Sequence, residues 1–566
     1  MFNLHIADII SLAVYLLGVT ALGMWAARRV KTAGDFIMPR KFGKAMMMMH
    51  SFGTATHSDQ AVSVASKSAS VGLAGIWYQW MWLFATPFFW VIAPMMRRLR
   101  ALTTGDVFAA RFDRGVAGMY AVLGLVKFMV NIALMLKGAS VIIDAASDGA
   151  LPAGPMILVM TGLFVVYGLA GGLSAAIVTD FVQGILTIVF SFLLLPACLS
   201  AVGGLPGMKE TLGAEMFSLV APGDVSVFYI FMIALNALLG VAVQPHNMGV
   251  CGAGRGETDG AVGFMGGMFL KRICTIAWAL TALAAVAYFG SIDEPDKVYG
   301  QMAREFLPGI LPGLLGLFLA ALLATVMGSC DSFMVASSGL ITQNLYKPFV
   351  SDKSDAHYLW VARISGLIVV IGGVIIAFNS DSVVKLLEQL WKINVMTAAA
   401  FWLGIFWRRT TVVGAWAATI AMLSVWAVTT LPTVASWLNG FAIFAENGIT
   451  RLNGKGVMTV WTPWQMLFYI VAGFGVGIIA SLLTKPVSSA KLERFYQLLR
   501  TPVTPGETVN ESCTLPDGAE PGPRRVFFAN SSFELPIPSK RDLIGFGVGW
   551  VLVFAIIAFV VIWIAE

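Results

Sequence analysis

Apolar runs long enough to cross a lipid bilayer recur along almost the whole chain, separated by short stretches of charge, glycine or proline. About 20 predominantly apolar residues make one helical crossing. By that measure the pattern predicts about fourteen transmembrane helices. They fall near residues 7–26, 46–72, 75–96, 116–143, 155–171, 174–201, 225–248, 262–288, 309–340, 359–378, 383–406, 412–432, 463–483 and 542–563. The predicted fold class is an all-α polytopic membrane protein embedded in the lipid bilayer.

Composition agrees with that reading. Hydrophobic residues make up 58% of the chain and charged residues 12%, and the mean hydropathy of +0.81 is far above that of soluble globular proteins. The charges are placed for topology. With the N-terminus outside, the inner loops carry Arg28 to Lys44, Arg97 to Arg114, Arg255 with Lys271 and Arg272, Lys347 and Lys353, Arg408 and Arg409, and Lys485 to Arg541. The outer loops are poor in Lys and Arg, and 290–307 is acidic (Asp293, Glu294, Asp296). This asymmetry predicts a multi-pass plasma-membrane protein with both termini outside. The net charge of +6 then reflects loop placement, so no nucleic-acid partner is expected. Arg28, Arg29 and Lys31 follow the first apolar run, which suits a retained helix better than a cleaved leader. The five cysteines show no CxxC pairing and read as small hydrophobes. Nothing in the pattern specifies an oligomer.

Three parts follow from the spacing of the runs. Residues 1–483 form a core, with a first helix at 7–26, one unit at about 46–201, a second at about 225–406 and peripheral helices over 412–483. Residues 484–540 are rich in Pro, Ser, Thr and charge; they read as a cytoplasmic linker with an amphipathic piece at 490–500. Residues 541–566 hold the last crossing. Each unit of five spans opens on a helix with polar residues at mid-depth, and an odd number of spans would invert the second unit relative to the first. The loop at 433–462 reads as an external hairpin or lid.

The run beginning at Met46 is the odd one. Phe52-Gly53-Thr54-Ala55-Thr56-His57-Ser58-Asp59-Gln60 puts an acid, an imidazole, an amide and hydroxyls in the middle of a span. Such groups are expensive against lipid, so this segment must face protein or water. A helix broken here would free carbonyls for a cation. A second polar helix lies near 309–340, where Thr325, Ser329 and Ser332 share one face with Gly328 beside them. Asp331 lies next to that face, and a lone carboxylate at such depth must be paired, protonated or cation-bound. Hydroxyls and small residues are also ordinary packing between membrane helices. Asp180, with Thr179 and Gln183, adds a third carboxylate, with capping as its plainer reading. Lys127 and Lys137 lie inside the helix at 116–143, and His50 and His57 suit either buried neutral imidazoles or proton sites.

No catalytic constellation, Walker A or dinucleotide fingerprint occurs, and an enzyme using His57 and Asp59 as acid and base lacks a supporting motif. The expectation is therefore not an enzyme. Without a nucleotide site, uphill work has to come from an ion gradient. One inward cation yields about 2.3 kcal/mol per 100 mV, and a tenfold gradient adds about 1.4 kcal/mol.

Four stretches resemble the sodium:solute symporters. GDFIMPRKFGK (34–44) resembles the loop after that family's first helix, GGLSAAIVTDFVQG (171–184) its GGLxAVxWTDxxQ signature, and LYKPF (345–349) the exit of its hydroxyl-rich helix. AFWLGIFWRRTTVVGAWAATI (400–420) is similar to its xxLGLFWKRxxxxGAxAG signature. The resemblance implies a leucine-transporter-like fold with five-plus-five inverted repeats and alternating access driven by co-transported Na⁺. It implies a sodium site at Gly53 and Thr56 with Thr325, Gly328 and Ser329, and a further one at Asp180, Asp331 and Ser332. Gly328 departs from the family, where a hydroxyl is usual. Solute contacts are implied at Asp59, Gln60, Gln79, Asn236 and Gln389, with His57 and Lys137. The function implied is sodium-coupled import of a small polar solute; a non-transporting membrane sensor and a proton-coupled carrier are the alternatives.

Overall fold

The structure is a computed structural model that describes residues 5–28, 40, 42–454, 456–504, 506–507, 509 and 511–565. Most of the 34–44 stretch, with Arg29 and Lys31, lies outside the described residues. The molecule is helical apart from one small antiparallel hairpin, β1 (Thr450–Leu452) and β2 (Met458–Val460). That hairpin falls in the loop expected to form one.

The helices that matter for the site are α1 (Ile6–Ala27), α2 (Lys44–Ala55), α3 (Ser58–Val71), α4 (Arg114–Ala146), α5 (Ala153–Ala201), α6 (Val227–Val241) and α7 (Pro245–Gly252). They continue with α8 (Glu257–Phe289), α9 (Leu314–Gly339), α10 (Asp355–Phe378), α11 (Val383–Ile393) and α12 (Ala398–Phe406). Outside these lie α13 (Val412–Thr430), α14 (Thr462–Leu483), α15 (Ser489–Arg500) and α16 (Lys540–Ala565).

Among the described residues, nine helices are long and apolar enough to cross a membrane, or ten if α6 and α7 count as one span bent by 64°. The sequence pattern predicts more because several apolar runs are broken. The run at 46–72 is split into α2 and α3. The run at 75–96 becomes short pieces ending in Phe89–Arg98, with Pro87 and Pro94 interrupting the backbone ladder. The run at 383–406 is divided between α11 and α12. In the other direction, α5 is helical over 49 residues where two helices are expected. Its qualifying span is Ala176–Ala201, beside the shorter apolar Ala153–Val166.

Close packing at the centre depends on small residues. A side chain at Gly267 of α8 would place a Cβ 2.6 Å from the Met48 carbonyl oxygen and 2.7 Å from the Phe52 nitrogen of α2. Only glycine lets these two backbones meet, the usual device for helix association in lipid. Lys271 and Arg272, expected among the inner-loop charges, are buried within α8 instead. They lie about 21 Å along its axis from Glu257 at 1.5 Å per residue, so a count of cations near helix ends misplaces them.

The 484–540 segment is packed against the core. Helix α15 buries Leu492, Phe495, Tyr496 and Leu498. Glu507 bonds the Arg100 guanidinium at 2.9 and 3.0 Å, and Glu534 gathers Arg408, Arg500 and Arg524. Ser512 donates to Asp106 at 2.7 Å.

Candidate functional site

Helix α2 stops at Ala55, and Thr56 and His57 are extended, with φ/ψ of −125/101 and −137/173, before α3 begins at Ser58. The local sequence explains the stop. Gly53 weakens the last turn, and the β-branched Thr54 and Thr56 disfavour its continuation. The second interruption, between α6 and α7, falls at residues 242–244 just before Pro245, whose ring removes a backbone donor.

Helix α9 lies against the first break. Ser329 Oγ donates to the Gly53 carbonyl at 3.1 Å, and the Thr56 N–H donates to the same oxygen at 3.3 Å. The Thr56 hydroxyl is buried with no partner. Thr325 donates to Leu322 of its own helix at 2.8 Å.

Asp180 of α5 fills the gap between α2 and α9. A Cβ at Gly53 would lie 3.3 Å from Asp180 Oδ1, and one at Gly328 would lie 2.6 Å from that oxygen. The Asp180 carboxylate thus fills the space beside the Gly328 backbone, with Gln183 next to it. Asp180 Oδ2 accepts from His50 Nδ1 at 2.8 Å and from Thr54 Oγ1 at 3.2 Å. Asp180 Oδ1, Gln183 Oε1, both Asp331 oxygens and Ser332 Oγ are buried and have no hydrogen-bond partner among the described residues. Buried oxygens without donors are costly, and a hard monovalent cation is the ligand such a mixed oxygen set satisfies. Among the described residues, no group of three His, Cys, Asp or Glu side chains could hold a metal ion. Any cation here therefore relies on hydroxyl and carbonyl oxygens as well.

A cavity of about 80 Å³ opens between the two interruptions, lined by Thr54, His57 and Gln60 at the first and by Gln244, His246 and Asn247 at the second. Thr54 and His246 also line a smaller cavity that continues past His50 and Ser332 to Leu102 and Thr103. These two side chains therefore stand between the central space and the smaller cavity.

The residues predicted for solute contact are not all brought together. His57 and Gln60 line the central cavity. Asp59 is fully buried and bonded to His57 Nδ1 and, at 3.3 Å, to Gln60 Nε2. Gln79 is buried with neither amide atom bonded. Asn236 is engaged at both ends, donating to the Trp391 carbonyl at 3.0 Å and accepting from Tyr469 at 2.6 Å. Gln389 lies on the exposed face of α11, while Leu387 and Leu390 of that helix line the cavity. Lys137 is half-buried on α4, beside Gly138, which packs against Asp59. Sequence reasoning missed Lys271, Arg272, His246 and Asn394 as cavity residues. A cation deep inside a long apolar helix was the available signal for Lys271 and Arg272.

Comparison with known proteins places this architecture. The family model for the sodium:solute symporter family matches residues 36–421. The osmoregulated proline transporter of Bacillus subtilis is 24% identical over 88% of this chain and 98% of its own length. The sodium/glucose cotransporter of Vibrio parahaemolyticus is 23% identical over 73% of this chain and 83% of its own. Among solved structures, a Na⁺-coupled sialic acid symporter in its substrate-bound outward-open state superposes with a TM-score of 0.70 at 16% identity. That match covers 86% of this chain and 99% of the symporter, and it concerns the fold alone.

Proposed function

The chain belongs to the sodium:solute symporter family, and from that premise we propose that it imports a small polar organic solute by alternating access. Sodium-coupled solute transport, with sodium as the co-transported ion, is the family's activity, and the chain is a multi-pass plasma-membrane protein of a transporter family. The proposal includes about fourteen crossings, the two inverted five-helix units at about 46–201 and 225–406, and a cytoplasmic 484–540 segment ahead of the last helix.

The observation that carries the reading is the meeting of Ser329 with the Gly53 carbonyl beside a set of buried, unpartnered oxygens. In the proposal these groups, with Thr56, Thr325 and Gly328, form the sodium site. Asp180, Asp331 and Ser332 form an adjoining one. A cation bridging Gly53 and Ser329 ties α2 to α9 while solute occupies the central cavity. Its release unties α2, so that Thr54 and His246 can part and open an inner route. Coupling then follows because sodium and solute favour the same arrangement of α2.

The His50–Asp180 and His57–Asp59 pairs favour a proton-coupled carrier as the second reading. Uptake of labelled solute into proteoliposomes, with sodium replaced by choline at fixed pH, separates the cases. The symporter loses accumulation in choline and the proton carrier keeps it, whereas a sensor binds solute without accumulating it in either.

A further inference from the structure

The central cavity carries an unbalanced charge. Lys271 and Arg272, 4% and 1% exposed, both line it, and among the described residues no Asp or Glu does. Neither cation has a carboxylate ion-pair partner among the described residues. Lys271 Nζ is held by the carbonyl of Ala55, the last residue of α2. Arg272 Nη1 donates to the Gln79 carbonyl at 2.6 Å, Nη2 reaches Met268 Sδ at 3.9 Å, and its Nε is buried with no partner. Asp59, in the first turn of α3, is committed to His57 and Gln60.

Backbone carbonyls and a thioether solvate a cation without neutralising it. A buried cation in lipid surroundings is expensive unless it is paired, and here the open side of both cations is the cavity. The N-terminus of α3 has no side-chain cap and starts at His57, which also lines the cavity. It adds the positive end of a helix dipole. Trp82 sits 5.8 Å from Lys271 Nζ and 5.9 Å from the Arg272 guanidinium carbon, so one ring orients both charges. The rest of the wall mixes apolar Phe89, Phe264, Phe333 and Leu390 with uncharged polar side chains such as Asn131 and Gln244.

We propose that the solute is a small organic monocarboxylate, bound with its carboxylate on Lys271 and Arg272 and its apolar body against Trp82 and the phenylalanines. The inference rests on the symporter reading and narrows its substrate class. It disfavours zwitterions, because no free acid in the cavity wall can meet an ammonium group. Neutral sugars are disfavoured too, since they leave both cations unpaired.

Thermal unfolding of the purified full-length protein tests this with benzoate, pyruvate, benzamide, pyruvamide, proline and glucose, each in sodium and in choline. Benzoate or pyruvate should stabilise the protein in sodium only, while the amides, proline and glucose should do so at least tenfold more weakly. The Lys271→Met variant should lose carboxylate affinity tenfold or more, and Lys271→Arg should retain the preference for carboxylate over amide. If Lys271→Met does not fold, the carboxylate-to-amide ratio of Lys271→Arg and of Arg272→Lys decides. A ratio near one in either overturns the proposal. Sodium-dependent stabilisation by glucose or proline, with the carboxylates inert, overturns the anion inference and leaves the symporter reading standing. No sodium-dependent stabilisation by any probe overturns both.

Discussion

The Ser329 hydroxyl donates to the Gly53 carbonyl at 3.1 Å although the two residues are 276 positions apart. That contact joins the end of a broken helix to the polar face of a continuous one. It lies at the centre of the proposed sodium site. Replacing Ser329 by Ala removes the hydroxyl and leaves the carbonyl with only the Thr56 N–H. Losing one such partner costs about 1–3 kcal/mol, which is roughly 5- to 150-fold in half-saturating sodium. Sodium titration of solute uptake should show that shift, with maximal rate at saturating sodium largely kept.

Gly328 gives a prediction with the opposite logic. Adding a hydroxyl at position 328 should not complete the site, because the Cβ of Gly328→Ser would lie 2.6 Å from Asp180 Oδ1. Overpacking of this kind costs about 1–3 kcal/mol, so the melting temperature should fall. Gln183→Ala in the same chain frees space beside Asp180 and should recover part of the loss. Equal melting temperatures for wild type and Gly328→Ser would contradict the packing described here.

Asn236 should behave as a structural tie. Both ends of its amide are taken by Trp391 and Tyr469. Asn236→Ala should therefore lower thermal stability, by about 1–3 kcal/mol for the buried groups left unpaired. It should leave the order of solute preference unchanged, as measured by competition against labelled uptake. A changed order would return Asn236 to the solute site.

The 484–540 segment makes a stability prediction. Glu534 is 5% exposed and faces Arg408, Arg500 and Arg524. Glu534→Ala leaves Arg524 without a carboxylate and Arg408 and Arg500 with Glu493 alone, and loss of such partly buried charged hydrogen bonds costs about 1–3 kcal/mol. Limited proteolysis should then cut between α14 and α16 well before the helical core is cut. Unchanged protease resistance would show that the segment is held by other contacts.

Much of this architecture was legible in the sequence. The break in the Met46 run could be read from polar residues in a stretch that lipid would reject, and the hydroxyl face of α9 could be read from helical spacing. Asp331 was visible for the same reason. Other features were hidden because they depend on partners distant in sequence. Nothing at Asp180 announces that His50 will bond it or that Gly328 will make room for it. Lys271 and Arg272 were read as topological charges because hydropathy windows average over the very positions where two cations sit in an apolar helix. Gln389 and Asn236 were proposed from the matching of helices, which does not fix rotation about the helix axis. One turns to the exposed face and the other into a protein–protein hydrogen-bond network. The helix count differs because apolar length alone does not register breaks at Thr56, Pro87 or Pro245.

The most direct test of the central claim is binding of radioactive sodium to the purified protein and to its Asp331→Asn variant, with unlabelled sodium and choline as competitors. The account predicts saturable binding to the wild type that sodium displaces and choline does not, weakened tenfold or more in the variant. Identical sodium affinity in the two proteins would contradict it.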